Sequence, residues 1–249
     1  MRSAAVAATA VSVALLATAC GGGKSDGKEA GKTAAPSAAA STAAAPPARA
    51  LSAAELDKLI VGTADLKGYQ VQKAEDIVTA DQVTADKAAC APIAHAMSSV
   101  SPGSPAASAQ RQVLAEPKKG ASTAPEDALL GALGVQMTAV TLGSYDGQGA
   151  QDAFASVKAA GTGCAGGFTV VQGAEKTRID KVAPESVTAG DEAVAFTVTT
   201  DMEGEPFVSK LVVFRQGNAL ASFSTISFAP GGVKELPTPV VTAQAAKLG

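Results

Sequence analysis

The chain has 249 residues, a formal net charge of −3 and a sequence pI near 5.3, which argues against a basic nucleic-acid binder. Alanine fills 56 positions, close to half of the 47 % hydrophobic fraction, so only one core of limited size is expected. With one histidine and three cysteines, a closed structural zinc site cannot be filled once a cysteine is used elsewhere, and neither a metal nor another cofactor is expected.

Met1-Arg2-Ser3 carries one positive charge and precedes an apolar run, Ala4 to Ala17. The run is too short to span a bilayer core, which needs about 20 residues, and has the character of a signal-peptide core. It ends in Leu15-Leu16-Ala17-Thr18-Ala19-Cys20 followed by Gly21-Gly22-Gly23. This resembles a bacterial lipobox, which implies cleavage before Cys20 and acylation of its thiol. Simple secretion after Ala17-Thr18-Ala19 would cut at the same bond. Residues 1–19 are therefore read as a lipoprotein signal peptide, with Cys20 as the lipidation site that holds the protein on the outer face of the cell membrane.

Residues 21–50 contain no Val, Ile, Leu or aromatic side chain. Such a stretch cannot bury enough apolar surface to offset chain ordering. Together with Cys20 it reads as a disordered tether over 20–50, with a root-mean-square span of about 30 Å.

A single domain is expected over 51–249. Ser52 and Glu55 have capping-box spacing, with Leu51 and Leu56 at the staple positions and Gly62 available to end a short helix. Leu66 to Val71 reads as a turn entering a strand, and Pro92 starts a helix reaching about Ser99. Residues 101–109 read as loop, 110–116 as a strand, 117–127 as loop and 135–142 as a strand. Ala150, Phe154 and Val157 define one face of a helix over about 148–160, with Gly161 as its cap. Strands then follow at 168–171, 177–182, around 194–198, 207–215 and 220–228. Gly217-Asn218 is a two-residue hairpin turn between the last two. Thr238 and Pro239 open a final short helix. The expected class is α+β, with a mainly antiparallel twisted sheet and the helices packed on one face.

With Cys20 committed to lipid, Cys90 and Cys164 remain. Outside the membrane the simplest state for them is one disulfide, with two buried free thiols as the alternative.

Several segments in this order resemble the PknH-like extracellular sensor domains of actinobacteria. They are Leu51-Ser52-Ala53-Ala54-Glu55-Leu56, Leu66-Lys67-Gly68-Tyr69, Cys90 before a helix, Ser144-Tyr145, and Ala150-Gln151-Asp152-Ala153-Phe154 running into Cys164. Gly190-Asp191-Glu192-Ala193 and Val212-Val213-Phe214-Arg215-Gln216-Gly217-Asn218 follow. The resemblance covers about 51–249. It implies an α+β domain with a cleft and an extracellular ligand, of the kind found on membrane serine/threonine kinases and on free-standing lipoproteins. Kinase activity is not implied, because the likeness is confined to the extracellular part.

Chemistry-bearing residues are sparse. Gly161-Thr162-Gly163-Cys164-Ala165-Gly166 fits G-x-G-x-x-G, but a phosphate cradle needs strand before and helix after, and the order here is reversed. His95 is the one imidazole, with no nucleophile-elbow serine to serve. The pairs Glu126-Asp127, Asp191-Glu192 and Glu203/Glu205 lack the alternating oxygens of a calcium loop and read as turn residues. Phe196, Phe207, Phe214, Phe223 and Phe228 read as core rather than pocket. No catalytic residue is assigned. The expected function is a membrane-anchored, non-catalytic sensor-like or ligand-binding lipoprotein. Its partners would be the membrane and a small-molecule, lipid or cell-wall ligand, with no nucleic acid and no protein partner identified. The alternative is a lipid or glycolipid carrier, which would need a large apolar cavity.

Overall fold

Leu211, Val212, Val213 and Phe214 are all buried, and alternate members join opposite cores: Leu211 and Val213 one, Val212 and Phe214 the other. A strand apolar at consecutive positions is one covered on both faces. The computed structural model describes residues 49–75, 77–116, 135–202 and 204–249, and this strand lies near the middle of its sheet.

The strands are β1 (Tyr69–Lys73), β2 (Val83–Ala85), β3 (Ala107–Ala115), β4 (Met137–Ser144), β5 (Phe168–Gln172), β6 (Glu175–Glu185), β7 (Glu192–Met202), β8 (Glu205–Gln216) and β9 (Ala219–Ile226). They form one nine-stranded sheet in the order β1-β3-β4-β9-β8-β7-β6-β5-β2, antiparallel throughout. The α-helices among the described residues are α1 (Ala53–Leu59), α2 (Ala91–Met97), α3 (Gly149–Gly163) and α4 (Thr238–Leu248). The α+β class and the antiparallel sheet are as expected.

The helices, however, cover both faces, not one. Ile93 and Ala94 of α2 and Phe154 and Val157 of α3 pack on the face carrying Phe196, Leu211 and Val213. Leu56 of α1 and Val240 and Val241 of α4 pack on the face carrying Val140, Val212, Phe214 and Phe223. The short helices at the two ends of the domain thus return to the side that the alternation in β7 left to solvent. Ala195, on that side, is 2 % exposed. The two terminal helices are also tied polar group to polar group. Buried Gln244 accepts from the Val61 N–H at 2.9 Å and donates to the Leu59 carbonyl at 3.0 Å, just past the end of α1.

The edge strands β1 and β2 are joined by nine residues, 74–82, of which Ala80–Gln82 are a 3₁₀ turn. Even fully extended, ten chain steps reach about 35 Å. Nine strands laid flat would separate the outer two by roughly 38 Å. The sheet therefore curls, bringing its edges toward each other.

Local differences from the expected elements have simple causes. The capping box of α1 forms, but the helix ends when Ile60 turns extended, ahead of Gly62. β3 begins at Ala107, inside the expected loop, because Ala107 to Ala109 pair with Ser144 to Leu142. Gly161 is a helical residue of α3 rather than its cap: a Cβ there would stand 2.3 Å from two carbons of the Phe196 ring. Thr238 is already helical and Pro237 takes the cap position. Arg49 and Ala50, assigned to the tether, are docked: Ala50 N–H donates to Asp146 Oδ1 at 3.0 Å and Asn218 Nδ2 to the Arg49 carbonyl at 2.6 Å. The expected loop 117–127 lies outside the described residues, as do Cys20, the signal peptide and most of the tether.

Cys90 caps the start of α2 and Cys164 the end of α3, and the two are disulfide-bonded with a Cα–Cα distance of 5.9 Å. The bond spans 74 residues and fastens together the two helices of one layer. Replacing both cysteines by serine is expected to cost about 2–5 kcal/mol and to lower Tm by several degrees, read by thermal melts. Gly161→Ala is expected to destabilise by about 1–3 kcal/mol, because the Phe196 ring has no room to retreat within the packed layer, read by denaturant unfolding.

Candidate functional site

The two turn motifs, Gly190-Asp191-Glu192 and Arg215-Gln216-Gly217-Asn218, are bonded to each other. Arg215 donates to Asp191 Oδ2 through Nη1 and to Glu192 Oε1 through Nε, both at 2.8 Å. Asp191 Oδ2 also accepts from the Gly217 N–H at 2.8 Å. Gly190 has φ +54°, and a Cβ there would meet the Arg215 carbonyl at 2.4 Å. These residues build the corner where the β8–β9 hairpin meets the entry to β7. Asn218 extends that corner to Arg49, where the chain enters the domain. Their side chains are used up in this scaffold.

His95 sits on α2 with Nε2 3.1 Å from the Val83 carbonyl, tying the helix to edge strand β2. The Gly161–Gly166 segment runs from the end of α3 through the disulfide to a turn before β5, so helix precedes strand. Glu205 is exposed; Glu126, Asp127 and Glu203 lie outside the described residues. Phe196, Phe214 and Phe223 are core, and the rings of Phe214 and Phe223 stack at 5.7 Å. Phe228 departs from the expectation: it is 55 % exposed, at the end of β9, against half-buried Phe207 at 6.2 Å. Among the described residues no group of three or more His, Cys, Asp or Glu is placed to hold a metal ion.

One buried polar group escaped the sequence reading. Lys210 of β8 lies opposite Thr197 of β7, and its side chain is 7 % exposed. Its Nζ donates to Thr197 Oγ1 at 2.8 Å and to Glu185 Oε1, and Thr197 Oγ1 donates to the same carboxylate oxygen. Burial alone would raise the Glu185 pKa; the hydrogen bonds from Lys210 and Thr197 outweigh it and hold the carboxyl below its ordinary range. The signal in the sequence was a lysine two positions before Val212, on the inward parity of an apolar strand.

Glu185 is 28 % exposed and opens onto a hollow of about 440 Å³, bounded by residues 184–188 and by Ala193 to Phe196 of β7. Residues 186–188 also wall a smaller hollow of about 210 Å³, whose other side is Val212 and the start of α4. A groove of about 600 Å³ lies at the β2 edge of the sheet, between Ile77, Val78, Asp81 and Gln82, strand β2 and the end of β5. A fourth, about 450 Å³, follows β9 near Pro230 and Lys234. All are open, with polar and apolar walls. The arrangement offers hydrogen-bonding surfaces, and among the described residues these hollows bring together no nucleophile, base and orienting group.

Removing one member of a buried ion pair strands the other. Glu185→Leu leaves a lysine with almost no access to water, and about 3–5 kcal/mol of lost stability is expected. Lys210→Met leaves a carboxylate that reaches solvent, so a loss of about 1–2 kcal/mol is expected. The double variant is expected to recover most of the larger loss. Denaturant titration of the three proteins checks the order. Asp57, with hydrogen bonds from Arg111 and Lys73, and Asp65, with one from Lys247, also have lowered pKa values. Groups lowered by folding stabilise above the unfolded carboxyl pKa, about 4, and lose that contribution as pH falls through the folded values. Stability is expected to hold from pH 7 to about 5 and to decline below about 4, as measured by unfolding midpoints across that range.

Residues 41–247 match the family model described as the PknH-like extracellular domain. No curated protein matches the chain. Among solved structures, the chain is similar to the extracellular domain of PknH from Mycobacterium tuberculosis, at 12 % sequence identity and a TM-score of 0.47, covering 80 % of this chain and 95 % of that one.

Proposed function

The chain belongs to the PknH-like extracellular domain family, and from that premise we propose that it is a lipid-anchored, extracytoplasmic, non-catalytic ligand-binding protein of the sensor type. The carrying observation is the order of parts. A lipobox-like run ending at Cys20 and a stretch without large apolar residues lead directly into a match that starts at residue 41. An acylated Cys20 would anchor the protein on the outer face of the membrane, since two or more chains give stable attachment. Among the described residues, no helix is long and apolar enough to cross a membrane.

The binding role is supported by what the domain offers. His95 and the Asp191–Glu192 pair are engaged in scaffold bonds, which favours binding over hydrolysis. A lipid carrier would need an enclosed apolar chamber, whereas the four hollows described are open and mixed in polarity. That favours a ligand held at the surface by hydrogen bonds.

Cys20→Ala is expected to release the protein from the membrane or to leave its precursor unprocessed. Fractionation and metabolic labelling with a fatty-acid analogue read both. Unchanged membrane retention and labelling in the variant would overturn the lipoprotein reading.

A further inference from the structure

The strands β1, β3, β4 and β9 are neighbours, and successive side chains on each point to opposite faces. On one face Val71, Val113, Val140 and Phe223 meet α1 and α4. On the other, the register sets Gln72, Gln112, Ala139 and Ser224 in one row across the sheet and Gln110, Thr141 and Ser222 in the next. Thr141 and Ser222 are buried, Gln110, Ala139 and Ser224 half-buried, and Gln72 and Gln112 exposed. The layer of α2 and α3 therefore stops short of this part of the sheet.

No Asp, Glu, Lys or Arg occupies this face of the four strands. The charged residues of β1 and β3, Lys73 and Arg111, point to the other face and bond Asp57. The bordering elements are uncharged too: α2 has only His95, engaged with the Val83 carbonyl, and residues 98–106 have no charge at all. That loop is fastened to the surface where Ser99, at φ +61°, accepts from Gln110 Nε2 at 2.6 Å. Gln72, Gln112 and Ser224 enter no side-chain hydrogen bond among the described residues, and buried Thr141 Oγ1 has no partner there either. Beyond the first row lies an apolar shoulder of Leu114, Met137 and Ile226, followed by the exposed ring of Phe228.

This chemistry selects among ligands. A phosphate, a carboxylate or a cation would find no charged partner. The main-chain groups of β3, β4 and β9 are committed to a strand on each side, so strand addition is not open to these three. An acyl chain lying here would leave amides and hydroxyls desolvated and unpaired. Amide and hydroxyl side chains both donate and accept, as the hydroxyls of a sugar do, and an apolar shoulder suits the C–H face of a sugar ring. Four strands span roughly 14 Å, longer than one such ring.

We propose that this face of β1, β3, β4 and β9 binds a neutral oligosaccharide, laid across the strands with its hydroxyls on Gln72, Gln112 and Ser224 and a ring face on the shoulder. The inference rests on the ligand-binding reading above and gives it a place and a ligand class. Gln110 is a positioning residue, since it holds the bordering loop at Ser99.

The test titrates the full chain with soluble tetrasaccharides of glucose, mannose, galactose and arabinose, α- and β-linked, beside uronic-acid and sulfated ones. Soluble glycans make the signal report the sugar and not a lipid chain. Saturable binding of a neutral glycan is expected, about tenfold or more tighter than binding of its own monosaccharide, with amide NMR shifts centred on residues 70–72, 110–114, 137–141 and 222–228. The double variant Gln72→Ala, Gln112→Ala is expected to bind about tenfold more weakly at unchanged Tm, because both side chains are exposed. Preference for a charged glycan, equal affinity for the monosaccharide, shifts centred elsewhere, full affinity in the double variant or no saturable binding would each overturn the proposal. A non-saccharide ligand carried by the purified protein would overturn it while leaving the ligand-binding reading standing, and the Cys20 experiment is independent of all these outcomes.

Discussion

The four consecutive buried residues Leu211 to Phe214 can be satisfied only by a sheet covered on both sides. The rest of the architecture follows from that need. The layer of α2 and α3, joined by the Cys90–Cys164 bond, closes one face. The other is closed by α1 and α4, which come from opposite ends of the domain. Closing a face with two short helices from distant parts of the chain leaves helix ends to satisfy, and Gln244 does so for α1 from inside α4. The link between β1 and β2 then requires the sheet to curl.

The sequence features that looked most specific turn out to be architectural. Gly190, Asp191, Glu192, Arg215 and Gly217 form one bonded corner, in which the glycine conformation, the carboxylates and the guanidinium depend on each other. Asn218 and Asp146 hold Arg49 and Ala50 against that end of the sheet. The described chain therefore enters the domain at its corner of fixed turns.

Much of the fold was legible because its signals are local. The capping box at Ser52, Pro92 near the start of α2, the Gly217-Asn218 hairpin and the alternation of Val194, Phe196 and Val198 each state their element directly. Both partners of the disulfide follow from redox compartment and count. What was not legible depends on distant chain. Ala195 and Thr197 are small or polar, so the alternation pointed them at solvent, yet α4 and the Lys210 pair bury that side. Gly161 reads as a helix cap until Phe196 is seen lying against it. The candidate site was the least legible part, because its contents are rows of side chains set across strands and a lysine inside a strand. The first is a matter of register, which no single segment records. The second had a signal, the inward parity of Lys210 with Val212 and Phe214, along with the continuous apolar run that also announced the second covered face.

Scaffold and site are thus different residues. The polar side chains conspicuous in the sequence hold the domain together, and the hydrogen-bonding capacity left over lies along open hollows at the sheet's margins. The proposed function has such a domain held at the cell surface and acting by what it binds. The most direct measurement is native mass spectrometry of the protein purified from its own envelope. The account predicts a second, non-covalently bound species that is lost on mild activation, in addition to covalently attached lipid. A spectrum holding only the mass of the processed polypeptide and its acyl chains, with no bound species across gentle conditions, would contradict it.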